Sequence, residues 1–320
     1  MKDNSQSNNV NKLNKENCCG CGICMHICPT GAISMCSDKE GFIYPVVKAE
    51  LCINCGKCIN QCTTVSNKGS HPSNLEEAYY AYNKNEDELR EAASGGVAGA
   101  LGYAFIENNG YVTGVRYTND YKSVAFELTN RKEDVNKFKG SKYVKADLSQ
   151  LYPKIKEKLD LLHPVLVIAL PCEIAAVKKY LGKEYDNLYT CDLICHGPTS
   201  VKVLEKCVSE LEEKYKSKTI EFSCRGKKPY WKPFYLCAKM ENGEEYSRVF
   251  AESSFGKAFQ IMKRPSCNVC GFKSPVTYSD MTIGDFHGAK KDTPEYNQYG
   301  VSICFIHNDK GKALLDMLNG

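Results

Sequence analysis

Apolar positions along the chain change their period several times, and each change predicts an element. Val165-Leu166-Val167-Ile168-Ala169-Leu170 is continuous, as in a central strand covered on both faces. Ahead of it, Leu148, Leu151, Tyr152, Ile155, Leu159 and Leu162 recur at helical spacing behind Asp147 and Gln150, which resemble a capping box. Residues 173–181 read as a helix stopped by Gly182. Residues 189–194 read as a strand. Val201, Leu204, Val208, Leu211 and Tyr215 form one face of a helix that begins near Thr199. Residues 111–117 and 123–128 read as paired strands, and 234–240 with 245–250 as a hairpin around Asn242-Gly243. Residues 281–283 and 301–307 add strands. The alternation predicts an α/β domain with a mixed sheet over residues 78–320. Residues 1–13 are polar and read as a disordered N-terminus, and 66–77, with Gly and Pro among polar residues, as a linker.

The stretch between them, residues 14–65, follows neither period. It holds eight of the chain's 19 cysteines in two runs. Cys18, Cys21, Cys24 and Cys28 are spaced C-x2-C-x2-C-x3-C and followed by Pro29. Cys52, Cys55, Cys58 and Cys62 repeat the spacing, with Thr63 in place of the proline. This is the arrangement of bacterial ferredoxins with two 4Fe–4S clusters, in which the fourth cysteine of each run serves the other cluster. One site is therefore expected to take Cys18, Cys21, Cys24 and Cys62, and the other Cys52, Cys55, Cys58 and Cys28. A zinc site takes paired cysteines and does not explain a run of three. Asp38 to Pro45 reads as a hairpin with a Gly41 turn, so the module is an α+β, ferredoxin-like fold. Cys19 is out of step and reads as a bystander or as an alternative to Cys18; His26 reads as a surface residue or one tuning the cluster by a hydrogen bond.

Further thiols lie in the α/β domain. Cys172 and Cys195 directly follow the strands that end at Leu170 and Ile194. The carboxyl ends of neighbouring parallel strands are where such sheets bind ligands. Cys267 and Cys270 form a C-x2-C pair. The four suffice for a third cubane, or are two buried cysteines and an unrelated zinc or redox pair. Cys36, Cys191, Cys207, Cys224, Cys237 and Cys304 read as small buried hydrophobes. The basic segment Arg225 to Lys232 reads as a docking site for an anionic cofactor tail or acidic ferredoxin, or as a solvated loop.

Several stretches, taken in order, resemble the coenzyme F420 hydrogenase/dehydrogenase beta-subunit family in its form with an N-terminal ferredoxin module. They are Ser94-Gly95-Gly96-Val97, Lys139-Gly140-Ser141-Lys142-Tyr143, Pro171-Cys172-Glu173-Ile174-Ala175, Asp192-Leu193-Ile194-Cys195-His196-Gly197, Arg264-Pro265-Ser266-Cys267-Asn268-Val269-Cys270 and Asp280-Met281-Thr282-Ile283-Gly284-Asp285-Phe286. Departures are Ala169-Leu170 for the usual Gly-Thr, Glu173 for Gln, and His287 for Trp. The resemblance implies a flavin, usually FAD, in the 78–320 domain beside a third 4Fe–4S cluster held by Cys172, Cys195, Cys267 and Cys270. For the flavin it points to Ser94, Gly95, Gly96, Lys139, Ser141, Lys142 and Asp285, where glycines at a helix start suit a phosphate or ring edge and lysines suit a pyrophosphate. His196 is the candidate proton relay.

These parts imply an oxidoreductase that exchanges electrons between a small-molecule hydride carrier, reduced coenzyme F420 or similar, and a one-electron partner such as ferredoxin or a redox subunit. The alternatives are a non-catalytic electron-transfer subunit and a ferredoxin-fed flavin reductase of an organic substrate. Composition narrows the setting. A net charge of +4 does not suggest a nucleic-acid binder. The six-residue apolar run is far short of the roughly 20 residues of a membrane helix. The absence of an apolar leader and the many thiols indicate a reducing, cytoplasmic compartment. Ligand crossover predicts that Cys62→Ser abolishes the EPR signal of the site built on Cys18, Cys21 and Cys24 and spares the other. Loss confined to the site of Cys52, Cys55 and Cys58 would reverse the assignment.

Overall fold

Each cysteine run turns on two left-handed residues: Gly20 and Gly22 (φ 69° and 74°) in the first, Asn54 and Gly56 (56° and 75°) in the second. Gly22 and Gly56 each start a one-turn helix, α1 (Ile23–His26) and α2 (Lys57–Asn60), so the sequence repeat is also a backbone repeat. Gly20 has a second reason to lack a side chain. A Cβ there would meet the Arg264 guanidinium at 2.9 Å. Between the runs, β1 (Ile33–Ser37) and β2 (Ile43–Val47) pair antiparallel through a turn at Gly41 (φ 88°). The module ends with α3 (Thr63–Ser66).

The structure, a computed structural model, describes residues 8–66, 75–273 and 277–318. In chain order the second part runs β3 (Glu77–Ala81), α4 (Glu86–Glu91), α5 (Val97–Glu107), β4 (Tyr111–Tyr117), β5 (Val124–Thr129), α6 (Lys132–Phe138), α7 (Tyr152–Asp160), β6 (Val165–Ala169), α8 (Pro171–Leu181), β7 (Leu188–Leu193) and α9 (Val201–Tyr215). It continues with β8 (Thr219–Gly226), β9 (Tyr235–Met240), β10 (Glu245–Val249), α10 (Ser254–Ile261), β11 (Met281–Asp285), β12 (Ser302–Ile306) and α11 (Asp309–Asp316). Seven strands form a mixed sheet in the order β3-β12-β11-β7-β6-β4-β5, and β10-β9-β8 form a small antiparallel sheet. β6 and β7 are parallel neighbours in the register Ile168 to Cys191 and Ala169 to Asp192, so the residues after them emerge side by side. The expected α/β domain with a mixed sheet is thus present, behind a ferredoxin-like module. No helix among the described residues is long and apolar enough to cross a membrane.

Three expectations need correction. Residues 1–7 lie outside the described part, but 8–13, expected to be disordered, are ordered. Asn9 caps a short helical turn, and Val10, 3% exposed, packs with Cys24, Ile33 and Cys58. Of the expected linker, 67–74 lie outside the described residues, while Glu77 already belongs to β3, which pairs with β12. Cys36 is exposed and Cys237 only half-buried, because each points to the open face of a hairpin; Cys191, Cys207, Cys224 and Cys304 are buried as expected.

The module is docked into the larger domain, not tethered beside it. Ile23 belongs to the same apolar cluster as Leu148, Leu151, Tyr152, Ile155 and Val167. The Tyr152 hydroxyl donates to the Cys21 carbonyl at 2.6 Å, and Lys202 Nζ donates to the Lys39 carbonyl at 3.1 Å. Arg264, 2% exposed, donates from Nε to the Cys18 carbonyl and from a terminal nitrogen to the Ile43 carbonyl, both at 2.8 Å, and stacks over Tyr44 at 4.3 Å. Removing it strands two buried carbonyls and opens a cavity. Arg264→Ala is therefore expected to cost about 3 kcal/mol in denaturant unfolding of the full chain, and Arg264→Lys to recover only part, since an ammonium lacks the planar fork. A cost within experimental error of zero would remove Arg264 from the account of docking.

Candidate iron–sulfur and redox site

In the module, Cys28, Cys52, Cys55 and Cys58 line one small cavity together with Pro29 and Gly56. Cys28 thus lies beside the second run, where the expected crossover would need it. The Ala32 amide donates to Cys28 Sγ at 3.3 Å, the Thr30 hydroxyl lies 3.6 Å from it, and the Asn9 side-chain amide donates to Cys52 Sγ at 3.6 Å. Against the effect of burial, the Thr30 hydroxyl and the amides of Thr30, Ala32 and Gly31 hold the Cys28 thiol below its ordinary value. Such donors stabilise a thiolate.

The other set is less regular. Cys18, Cys24 and Cys62 act electrostatically on one another, and burial raises the thiol of Cys24. Cys21 is turned differently: its thiol neighbour is Cys19, and the Thr63 hydroxyl lies 3.7 Å from both sulfurs. His26 is held by edge contacts to Tyr152 and Tyr180 at 5.4 and 5.7 Å, facing the domain interface.

The third set surrounds a cleft of about 720 Å³ at the carboxyl ends of β6 and β7. Cys172, Cys195, Cys267 and Cys270 all line it. Cys172 sits in the first turn of α8. Glu173 caps that turn, accepting from the Leu170 amide at 2.9 Å, and pairs with Lys145 at 2.7 Å. Lys145 Nζ also approaches Cys172 Sγ at 3.9 Å. Burial opposes the charge of Lys145, but Cys172 and Glu173 outweigh it and hold its ammonium above the ordinary lysine value. The glutamate at 173, a departure from the family pattern, is thus matched by a buried cation. Gly197 (φ 100°) lets the segment after Cys195 pass Cys267, where a Cβ would meet the Cys267 Cβ at 2.8 Å; the Gly197 amide donates to Cys195 Sγ at 3.3 Å. Burial pushes the Cys195 thiol up to about 11. His196 is exposed at the rim, and its carbonyl accepts from Lys273 Nζ at 3.3 Å. An all-thiol set in a roomy, partly buried cleft suits iron–sulfur chemistry. Among the described residues no three His, Cys, Asp or Glu side chains close on a single ion; a cubane spreads its four thiolates over separate irons.

The residues expected to meet a flavin fare differently. The Ser94 hydroxyl donates to the Val301 carbonyl at 2.8 Å, and the Gly95 amide donates to the Ser302 hydroxyl at 3.0 Å. A Cβ on Gly95 would lie 2.2 Å from the Ala81 carbonyl oxygen, so this glycine is needed for packing against the sheet. Gly96 (φ 85°) starts α5. Lys139 is paired with Glu88 and Glu91 at 2.7 and 2.8 Å. Lys142 is turned inward onto the carbonyls of Lys137 and Phe138 at 3.0 and 2.9 Å, and burial pushes it down to about 7. Ser141 is half-buried beside it. These lysines already have partners within the chain. Asp285, at the end of β11, pairs with Arg225 at 3.0 Å. Arg225 also donates to the Tyr143 hydroxyl at 2.9 Å and the Ala93 carbonyl at 2.6 Å, yet its buried Nε has no partner. The basic segment is correspondingly no free loop. Lys227 is turned onto the carbonyls of Leu89 and Ser94, burial pushes it down to about 7, and Trp231 is buried and stacked on His287.

Spacing alone gave no role to Lys145 or Asp192 and did not place Cys19 in the cleft. Asp192 is fully buried at the floor of the cleft. Burial pushes its carboxyl up to about 6, and the Thr282 hydroxyl, which donates to it, offsets part of this.

Comparison with known proteins agrees with this architecture. Residues 162–319 match the family described as the C-terminal part of the coenzyme F420 hydrogenase/dehydrogenase beta subunit, and residues 12–34 match a 4Fe-4S binding domain. The second half of the chain thus carries the C-terminal part of that beta subunit, with a 4Fe-4S module in front, and the protein is an iron–sulfur electron-transfer protein related to the F420 hydrogenase beta subunit. An uncharacterized protein of Methanocaldococcus jannaschii is 29% identical over 92% of this chain and 85% of its own length. An uncharacterized ferredoxin of the same organism is 36% identical over 52 residues, 16% of this chain and 66% of its own length. In fold, the protein is similar to a chain from the F420-reducing NiFe hydrogenase complex of Methanosarcina barkeri, with a TM-score of 0.53 and 20% identity over 76% of this chain and 79% of that one.

Two outcomes follow from the cleft. Glu173→Gln keeps an acceptor for the Leu170 amide but deletes a negative charge beside Cys172. The potential of a cluster held there, which the resemblance implies, is then expected to rise by on the order of 50 mV, the scale of one unit charge at roughly 10 Å and an effective dielectric near 20; an unmoved potential in an EPR-monitored redox titration would contradict this. Infrared difference spectra should show a protonated-carboxyl band that titrates near pH 6 and is absent from Asp192→Asn. A band missing from the parent protein would contradict the buried, proton-holding carboxyl.

Proposed function

We propose that the protein is a flavin-dependent oxidoreductase with three 4Fe–4S sites. It exchanges electrons between a hydride carrier, reduced coenzyme F420 or a similar small molecule, and a one-electron partner in the cytoplasm. The observation that carries this reading is the cleft: four thiols from three separate segments line it, and the docked ferredoxin module, through Cys19, Thr63 and Thr64, forms one of its walls. A flavin takes two electrons together and gives them up singly, and clusters carry one at a time.

The chain's own residues divide the work. Cys172, Cys195, Cys267 and Cys270 hold the cleft centre; the eight module cysteines hold the other two. Lys145 and Glu173 fix the charge beside Cys172. For the flavin, Ser94, Gly95, Gly96 and Asp285 frame a corner with Arg225, whose unpartnered Nε is a donor suited to a cofactor oxygen. Lys139, Ser141 and Lys142 shape that region through their internal bonds and do not supply free cations. His196, exposed at the rim, passes protons. The one-electron partner is ferredoxin or a redox subunit, and the structural likeness to a chain of a hydrogenase complex favours a subunit.

The test is anaerobic reconstitution of the full chain with iron, sulfide, FAD and FMN, followed by mixing with reduced coenzyme F420. About one flavin per chain, bleached by the reduced carrier, is expected. A protein that takes up iron but no flavin would be a non-catalytic electron-transfer subunit. One whose flavin ignores the carrier but turns over an organic acceptor when fed by ferredoxin would be a reductase of that acceptor.

A further inference from the structure

The two cysteine runs are one backbone motif used twice, so their faces can be compared position for position. In the first run the dock takes up that face. Cys19 is 9% exposed and forms part of the cleft wall, Gly20 lies under the Arg264 guanidinium, and Ile23, 1% exposed, joins the apolar cluster of α7. A Cβ on Gly22 would meet the Ser149 side chain of the larger domain at 2.5 Å. The matching residues of the second run are Ile53, Asn54, Lys57 and Gly56. Ile53 is 65% exposed, Asn54 and Lys57 are exposed, and a Cβ on Gly56 would meet the side chain of Asn8, within the module itself. Leu51, 44% exposed, extends the apolar surface, and Cys55 is exposed beside it. Single exposed apolar residues are ordinary. This pair differs because Ile53 lines the cavity of Cys28, Cys52, Cys55 and Cys58, on a face whose twin is already an interface.

The rim of the face is basic. Lys12, Lys48 and Lys57 are exposed and form no ion pair with a described residue, while Glu50 is the one acid in residues 48–58. A second copy of the chain would bring lysines against lysines across a two-fold contact, which costs association. An acidic surface meets the rim favourably and is steered to it. We propose that this face is the docking site of the one-electron partner, an acidic electron-carrier protein that sets apolar side chains on Leu51 and Ile53 and carboxylates against the three lysines. The centre held by Cys28, Cys52, Cys55 and Cys58 is then the outer of the two module centres, and the one beside the dock is the inner. Each encounter moves one electron: the reduced partner loses it and the oxidised outer centre gains it, or the reverse, with no bond made or broken. The inference rests on the proposed function and adds where the partner binds and with what charge.

The experiment uses the anaerobically reconstituted full chain, with an acidic bacterial-type ferredoxin as the probe. It compares the parent protein, Ile53→Glu, the pair Lys12→Glu with Lys48→Glu, and Leu162→Glu, which puts a carboxylate on a leucine 82% exposed in the larger domain. Ferredoxin binding in low-salt calorimetry should weaken about tenfold in the first two variants and stay at the parent value in the third. Stopped-flow electron transfer from reduced ferredoxin should slow in step, and the lysine pair should also lose most of its salt dependence. Iron content and the EPR signals of the dithionite-reduced module should match the parent in all three. Should Ile53→Glu lose iron, the lysine pair, which adjoins no cysteine, still decides. Parent-like binding in the lysine pair, or a parent that binds no acidic ferredoxin, would overturn the docking site. A parent that self-associates and becomes monomeric as Ile53→Glu in sedimentation would give the face to a second copy and overturn it too. A chain that binds ferredoxin at this face but takes up no flavin would uphold the docking site and sink the oxidoreductase reading, so the two failures are told apart.

Discussion

The position of the ferredoxin module against the larger domain depends above all on one buried guanidinium. Arg264 belongs to the loop that carries Cys267 and Cys270, and it donates to the ferredoxin module at the carbonyls of Cys18 and Ile43 and at Cys18 Sγ. A buried arginine is tolerated only where its donors find acceptors and its face finds an aromatic ring. Here the module supplies both, with the Tyr44 ring against the guanidinium face. The same residue therefore ties two separately encoded cysteine sets to one distance. Ile23 adds apolar contact with the α7 core, Tyr152 a hydrogen bond to the Cys21 carbonyl and Lys202 one to the Lys39 carbonyl, so the dock has further fastenings besides Arg264.

The cleft depends on a second constraint, the parallel pairing of β6 and β7. Strands in that register deliver Cys172 and Cys195 to one edge of the sheet. α8 then begins immediately, and its exposed first turn is closed by Glu173. That carboxylate is buried and needs a cation, which Lys145 provides. The arrangement places one positive and one negative charge beside the thiol of Cys172, so its electrostatics are set by neighbours and not by solvent. Asp192 lies buried beneath the cleft, and burial pushes its carboxyl up to about 6.

Much of this was legible in the sequence because spacing encodes local geometry. Three cysteines at three-residue steps force a loop round a cluster, and Val165 to Leu170 can only be a covered strand. The closeness of Cys28 to the second run agrees with the same spacing. Cys19, Arg264 and Lys145 were not. Their contacts join distant stretches of chain, 246 residues apart for Arg264 and Cys18 across the dock and 28 for Lys145 and Glu173 within the larger domain, and no local period records such a contact. Glu173 left a faint trace as a departure from the family pattern. The residues expected at a flavin show a different limit of sequence reading. Gly95 and Lys139 look like phosphate binders in sequence, but the first packs against Ala81 and Ser302 and the second is neutralised by Glu88 and Glu91.

The central claim is that the four cysteines of the larger domain form a centre of their own beside the docked module. The most direct measurement is the iron content and Mössbauer spectrum of the reconstituted full chain against Cys195→Ser. The account predicts a fall from about twelve to about eight irons, with both module centres intact. About eight irons in both proteins would contradict it, since Cys172, Cys195, Cys267 and Cys270 would then hold no cluster.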